Sequence, residues 1–175
     1  TAIAYARAAR ERGIEVVIAP VLDLKVPGSR AVGDRAFSDD PEIAWLFGKR
    51  FMDGILQEGL LPVVKHFPGH GAAIEDSHVQ LAHLNLTGQA LEDTLLPFKN
   101  AVDATVPAVL VGHIACPALD PEFPDTPATL SRAMVTGILR EQWGYDGFIM
   151  TDDMNMKAVK GALEDLVVRS LRAGC

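Results

Sequence analysis

A chain of 175 residues, 49% of them apolar, can bury one sizeable core, and its length points to a single domain. Its formal charge of -7 argues against nucleic acid or an anionic membrane surface as a partner, and no run of Lys and Arg supplies a local basic patch. No window approaches the ~18 consecutive apolar residues of a membrane span, and "TAIAYARAARERG" lacks the basic-then-apolar order of a signal peptide. Cys116 and Cys175, far apart, imply no disulfide framework, so a reducing, cytoplasmic setting is expected.

In chain order, an alanine-rich helical opening leads into the apolar run "GIEVVIAPVLDL" at 13–24. A helix is expected from Pro41 to Glu58, with Pro in its first turn. The run "LLPVVKHF" at 60–67 follows, then a helix from Leu91 to Ala104 with an acidic start. "PAVLVGHIACP" at 107–117 precedes a helix from Leu130 to Trp143, capped by Thr129 or Ser131. "GFIMTDDM" at 147–154 is the last apolar run, before a helix over roughly 157–173. Near-continuous apolar strands alternating with helices specify a parallel α/β fold with about four βα units and no linker between them. Both ends look cut: there is no initiator Met, and the chain stops just after Gly174, so a piece of a longer protein is expected.

The polar residues that interrupt the apolar runs lie at or beyond their C-terminal ends: Asp23, Lys65 with His66, His113, and Asp152 with Asp153. In parallel α/β folds that edge carries the chemistry, because the βα loops gather there. Charged residues also mark where any strand emerges into solvent, which explains one such position far better than all of them.

"KHFPGHGAAIEDSH", residues 65–78, is the densest of these segments. His66 and His70 have the i, i+4 spacing of zinc-binding helices, but Pro68 and Gly69 break a helix there and the accompanying acid is missing, so no metal site is expected. The glycines fit neither nucleotide-loop spacing and more simply permit turns that aim His66 and His70. Asp76 and His78 stand two apart, close enough for the carboxylate to accept a hydrogen bond from the imidazole and raise its pKa. The plain alternative is a local turn with His78 exposed. In "TDDM", Asp152 lies nearest the strand and should point into the site, with Asp153 the better capping residue. No role follows for His70 or His113.

Taken in order, "KHFPGHG", "DSH", "PATLS" and "YDGFIMTDDMNM" strongly resemble the β-N-acetylglucosaminidases of glycoside hydrolase family 3, and "APVLDL" and "GDRAFSDDP" are similar to that family's early loops. The resemblance covers essentially residues 1–175 and implies part of a (β/α)8 TIM-barrel catalytic domain, a retaining exo-glycosidase with no cofactor. Asp152 matches the family nucleophile, His78 its general acid/base and Asp76 the partner of that histidine. Lys65, His66 and Arg35 match sugar-binding positions. The implied substrate is a small carbohydrate, an N-acetylglucosaminyl muropeptide or chito-oligosaccharide of the kind handled in peptidoglycan recycling. Most retaining glycosidases use two carboxyl groups roughly 5 to 5.5 Å apart; here an imidazolium replaces one, which opens phosphate as an alternative acceptor to water. A phosphorylase, a family 3 β-glucosidase and a non-catalytic sugar-binding fragment are the competing readings. An early acidic motif and a glycine-rich arginine segment of the family are missing, and complete barrels need ~250 residues. Alone, the 175 residues are expected to be marginally stable and poorly active.

Overall fold

The computed structural model describes residues 2–29, 31–73 and 79–175. The alanine-rich opening forms helix α1 (Ala2–Arg10) and leads to the short strand β1 (Val16–Val17). Helix α2 (Pro41–Gln57) starts as expected: Asp40 accepts from the Glu42 and Ile43 amides at 2.9 and 3.0 Å, and Pro41 sits where no amide proton is needed. Strand β2 (Leu61–Phe67) precedes a short strand β3 (Ala82–His83) and helix α3 (Gly88–Asp103). Strands β4 (Ala108–Val111) and β5 (Ile114–Ala115) are followed by a 3₁₀ turn (Ala128–Leu130) and a π-helical segment (Ala133–Gln142). Strand β6 (Phe148–Thr151) and helix α4 (Leu163–Ala173) complete the order.

The main sheet runs β1-β2-β4-β6, every pair parallel, while β3 and β5 form a separate parallel pair. Among the described residues four βα units are therefore present, as the alternation of apolar runs and helices predicts. Val64, Phe67 and Ile149 turn to the helix-covered face and pack with Phe98, Met134 and Leu139. Phe67 meets Phe98 and Trp143 edge-on at ring-centroid distances of 6.0 and 5.7 Å. The opposite face holds a smaller cluster of Val63, Ala108, Leu110 and Met150.

Three expected elements differ in detail. The run at 13–24 is not one strand, because Pro20 has no amide to donate to a ladder; pairing with β2 resumes at Val21, opposite Lys65. The run at 107–117 splits into β4 and β5 at Gly112 and His113, since the buried His113 ring turns out of the sheet to bond elsewhere. The last helix starts at Leu163 rather than near 157, because Asp153 organises a turn and Gly161 adopts φ +142°. Of the two candidate caps, Ser131 takes the Met134 amide at 3.2 Å and Thr129 faces His113.

Helix α1 is tied to the end of α2 by charge. The Glu58 side chain, only 7% exposed, receives Arg7 at 2.9 Å and Arg10 at 3.2 Å. The hydrogen bond from Arg7 holds the Glu58 carboxyl below its ordinary 4.5, with the charges of Arg7 and Arg10 adding to it against the effect of burial. A lowered folded-state pKa gives stability that is present above 4.5 and lost as pH falls through the folded value. Urea midpoints should therefore separate wild type from Glu58→Gln near neutrality and converge once acid has protonated Glu58 in the folded state; a gap that persists in strong acid contradicts a charge-based tie.

Candidate active site

The site is built at the C-terminal edge of the main sheet, around a defect in β2. Val64 pairs with Val109, but the next partner of Val111 is Phe67, so Lys65 and His66 together face Leu110. This β-bulge keeps Val64 and Phe67 on the helix-covered face and brings two consecutive polar residues to the same stretch of the edge. The Lys65–His66 and Phe67–Pro68 peptides are both cis.

Asp23 anchors this arrangement. Its side chain is fully buried; Oδ2 accepts from the His66 Nδ1 at 2.6 Å and from the His66 amide at 3.3 Å, and Oδ1 accepts from the His70 amide at 2.5 Å. Burial pushes the Asp23 carboxyl up, but the His66 charge and hydrogen bond, with the His70 amide, outweigh it and hold the group below its usual range. Because the carboxylate can only accept, Nδ1 of His66 carries the proton, and Nε2 is the ring nitrogen that remains for a ligand. His70 is itself buried, its ring edge-on to His66 with centroids 6.1 Å apart. The sequence shows Asp23 as a lone acid closing an apolar run, a signal for the site edge; its partners, more than forty residues away, are not visible there.

Gly69 and Gly71 are needed for different reasons. Gly69 has φ +128°, a conformation few side chains adopt. Gly71 has no such φ, but a Cβ there would lie 2.0 Å from the Leu24 carbonyl oxygen, so the loop can press against the chain just after Asp23 only with glycine.

Asp152 leaves the end of β6 with its amide donating to the Val111 carbonyl at 3.0 Å and its Oδ1 accepting from the Asp153 amide at 2.9 Å. Alternation along β6 puts it on the same face as Met150. Asp153 instead bonds the Asn155 amide and side-chain nitrogen, each at 2.9 Å; the backbone bond first, then the side-chain bond, hold its carboxyl low. It shapes a turn rather than capping a helix.

Lys65 connects these groups. Burial first, and then the Arg35 charge, lower its ammonium pKa, while the charges of Asp152 and Asp23 pull it back up. Lys65, Arg35, Asp23 and Asp152 thus share one electrostatic neighbourhood, drawn from β2, the loops after β1, and β6. Arg35 closes a 3₁₀ turn (Gly33–Arg35), its guanidinium bonded to the Ala31 and Val32 carbonyls. Of the candidates from sequence, Lys65, His66, Arg35 and Asp152 are brought together; Asp76 and His78 lie outside the described residues. Among the described residues, no group of three or more His, Cys, Asp or Glu could hold a metal ion, and no helix is long and apolar enough to cross a membrane.

The sequence profile of the glycosyl hydrolase family 3 N-terminal domain matches residues 1–175. The chain belongs to this family. A β-hexosaminidase of Xylella fastidiosa (strain M23) is 40% identical over 169 residues, which are 95% of this chain and 49% of that protein. The chain thus spans about half the length of the curated relatives it matches. Among solved structures, a glycoside hydrolase family 3 β-N-acetylglucosaminidase from Paenibacillus sp. str. FPU-7 is 34% identical with a TM-score of 0.95, over 99% of this chain and 34% of that one. A β-N-acetylhexosaminidase from Beutenbergia cavernae DSM 12333 is 27% identical with a TM-score of 0.90, over 99% and 53%. The parallel βα units are therefore those of the barrel-type family 3 domain, as the motifs imply.

Proposed function

We propose that residues 1–175 form part of the catalytic barrel of a retaining exo-β-N-acetylglucosaminidase. The observation that carries this reading is the meeting of Asp152, Lys65, Asp23 and Arg35 at one edge of the sheet, in a chain of glycosyl hydrolase family 3. Asp152 is the nucleophile. With Oδ1 engaged by the Asp153 amide, Oδ2 attacks the anomeric carbon while the bond to the aglycone oxygen breaks. The imidazolium of His78, paired with Asp76, gives its proton to that departing oxygen. A water then attacks the same carbon, returns its proton to His78 and releases Asp152, so two inversions leave the anomeric configuration retained. Lys65, His66 and Arg35 hold sugar hydroxyls, His66 through Nε2. The substrate is a terminal N-acetylglucosaminyl unit of a chito-oligosaccharide or muropeptide, and the setting is cytoplasmic peptidoglycan recycling.

The test is to incubate the complete protein with an aryl N-acetyl-β-glucosaminide and follow the sugar product by proton NMR, with and without phosphate. Initial release of the β-anomer of free N-acetylglucosamine supports the reading. Initial α-anomer overturns retention, a sugar phosphate makes the protein a phosphorylase, and faster turnover of the glucoside replaces the substrate class.

A further inference from the structure

We propose that His113 is a positioning residue for Asp152: its buried ring ties the Thr129 hydroxyl to the Asp153 carbonyl and so helps to fix the residue that immediately follows the nucleophile. This rests on Asp152 acting as the nucleophile.

His113 stands just beyond β4, and its side chain has no solvent exposure. Its Nε2 lies 2.9 Å from the Asp153 carbonyl oxygen, and its Nδ1 lies 2.9 Å from Oγ1 of Thr129, in the 3₁₀ turn. The carbonyl can only accept, so Nε2 carries a proton. Burial lowers the imidazole pKa, against the pull of the Asp153 carbonyl and of the charges on Asp152 and Asp153, and so favours the neutral ring. In that ring Nδ1 is an acceptor, and the Thr129 hydroxyl must donate to it. One tautomer is selected by partners on both sides.

The consequence falls on Asp152. Its own amide is held by Val111 at the end of the sheet, and the next amide is held by its Oδ1. Past that point the chain leaves the ladder, and the Asp153 carbonyl accepts from His113 at 2.9 Å and from the Met156 amide, within its own turn, at 3.0 Å; His113 is the partner that ties it to the strand end. Without the His113 bond, the Asp153 carbonyl keeps only its local bond to the Met156 amide, and Asp153, whose own amide orients the Asp152 carboxylate, loses its tie to the strand end. Gly112 lets this happen in a crowded place: a Cβ there would stand 3.2 Å from the Cβ of His66, so the strand end carrying His113 packs directly on the sugar-side histidine.

The experiment uses the complete protein with His113→Leu, His113→Gln, Thr129→Val and Thr129→Ser. His113→Leu should lower kcat about 10²-fold with a much smaller change in KM, the pattern of a reacting group moved out of line. Glutamine can present an amide proton to the Asp153 carbonyl and should recover at least about tenfold of that loss. Thr129→Val should reduce kcat in the same direction, and Thr129→Ser should restore it. Independently of turnover, ¹⁵N spectra of the histidine rings should show His113 with its proton on Nε2 in wild type and a mixture of tautomers in Thr129→Val. A folded His113→Leu with unchanged kcat overturns the proposal, as does a wild-type ring protonated on Nδ1 alone. If the leucine variant does not fold, glutamine and the Thr129 pair decide. An inactive wild type that keeps the Nε2 tautomer would sink the glycosidase reading rather than the hydrogen bonding of His113.

Discussion

Replacing Asp152 with alanine in the complete protein is expected to lower kcat by at least about 10⁴-fold, the scale on which covalent enzymes respond to loss of the nucleophile. Asp153→Ala should cost far less. The two neighbours differ in what occupies them: Asp153 is taken up by Asn155, whereas among the described residues Asp152 accepts only from the Asp153 amide, through one of its two oxygens. Azide offers a sharper check than loss of rate. In Asp152→Ala a small anion can occupy the vacated space and attack from the carboxylate's side, so turnover should return with an α-glycosyl azide as product. A β-azide, or a larger loss from Asp153→Ala than from Asp152→Ala, would move the nucleophile elsewhere.

Asp23→Ala is expected to destabilise the fold by about 3–5 kcal/mol, since each buried donor left without its acceptor costs about 1–3 kcal/mol. The cost arises because three donors lose their acceptor at once: the His66 ring, the His66 amide and the His70 amide, all around a carboxylate with no exposure. Asp23→Asn keeps the shape and one accepting oxygen, so it should fold better but raise KM, since His66 is no longer held in one tautomer. Chemical denaturation and steady-state kinetics separate the two effects. A loss of less than about 1 kcal/mol in Asp23→Ala would mean that water replaces the carboxylate and that the site is less dry than it looks. Acid should mimic the substitution: the folded-state pKa of Asp23 is lowered, so its contribution holds above 3.8 and fades as pH drops through the folded value.

The sheet was legible in the sequence because buried parallel strands must be apolar on both faces, which is why β2, β4 and β6 stand out without any alignment. The polar residues at their ends were legible for the complementary reason, that only the edge tolerates them. What could not be read were choices made by distant partners. Asp23 meets His66 across forty-three positions, and His113 meets Asp153 across forty. The same distant bonding breaks the run at 107–117, whose composition is that of one unbroken strand. The π-helical segment also carries an ordinary helical pattern, and its wider winding shows only in bonds such as that from the Trp143 amide to the Ile138 carbonyl.

A regular strand can offer an adjacent ligand only every second side chain, so it cannot present an ammonium and an imidazole from neighbouring positions. The irregular pairing at Lys65 and His66 escapes that limit and makes the two inseparable. Deleting either residue would straighten the strand and remove one group, while the other would inherit its neighbour's direction. Pairing resumes at once with Phe67 opposite Val111, so changes in length beyond Pro68 need not travel back into the sheet. Sequence drift can therefore lengthen or shorten the loop after this strand with little penalty, whereas the pair before it can be exchanged only as a unit.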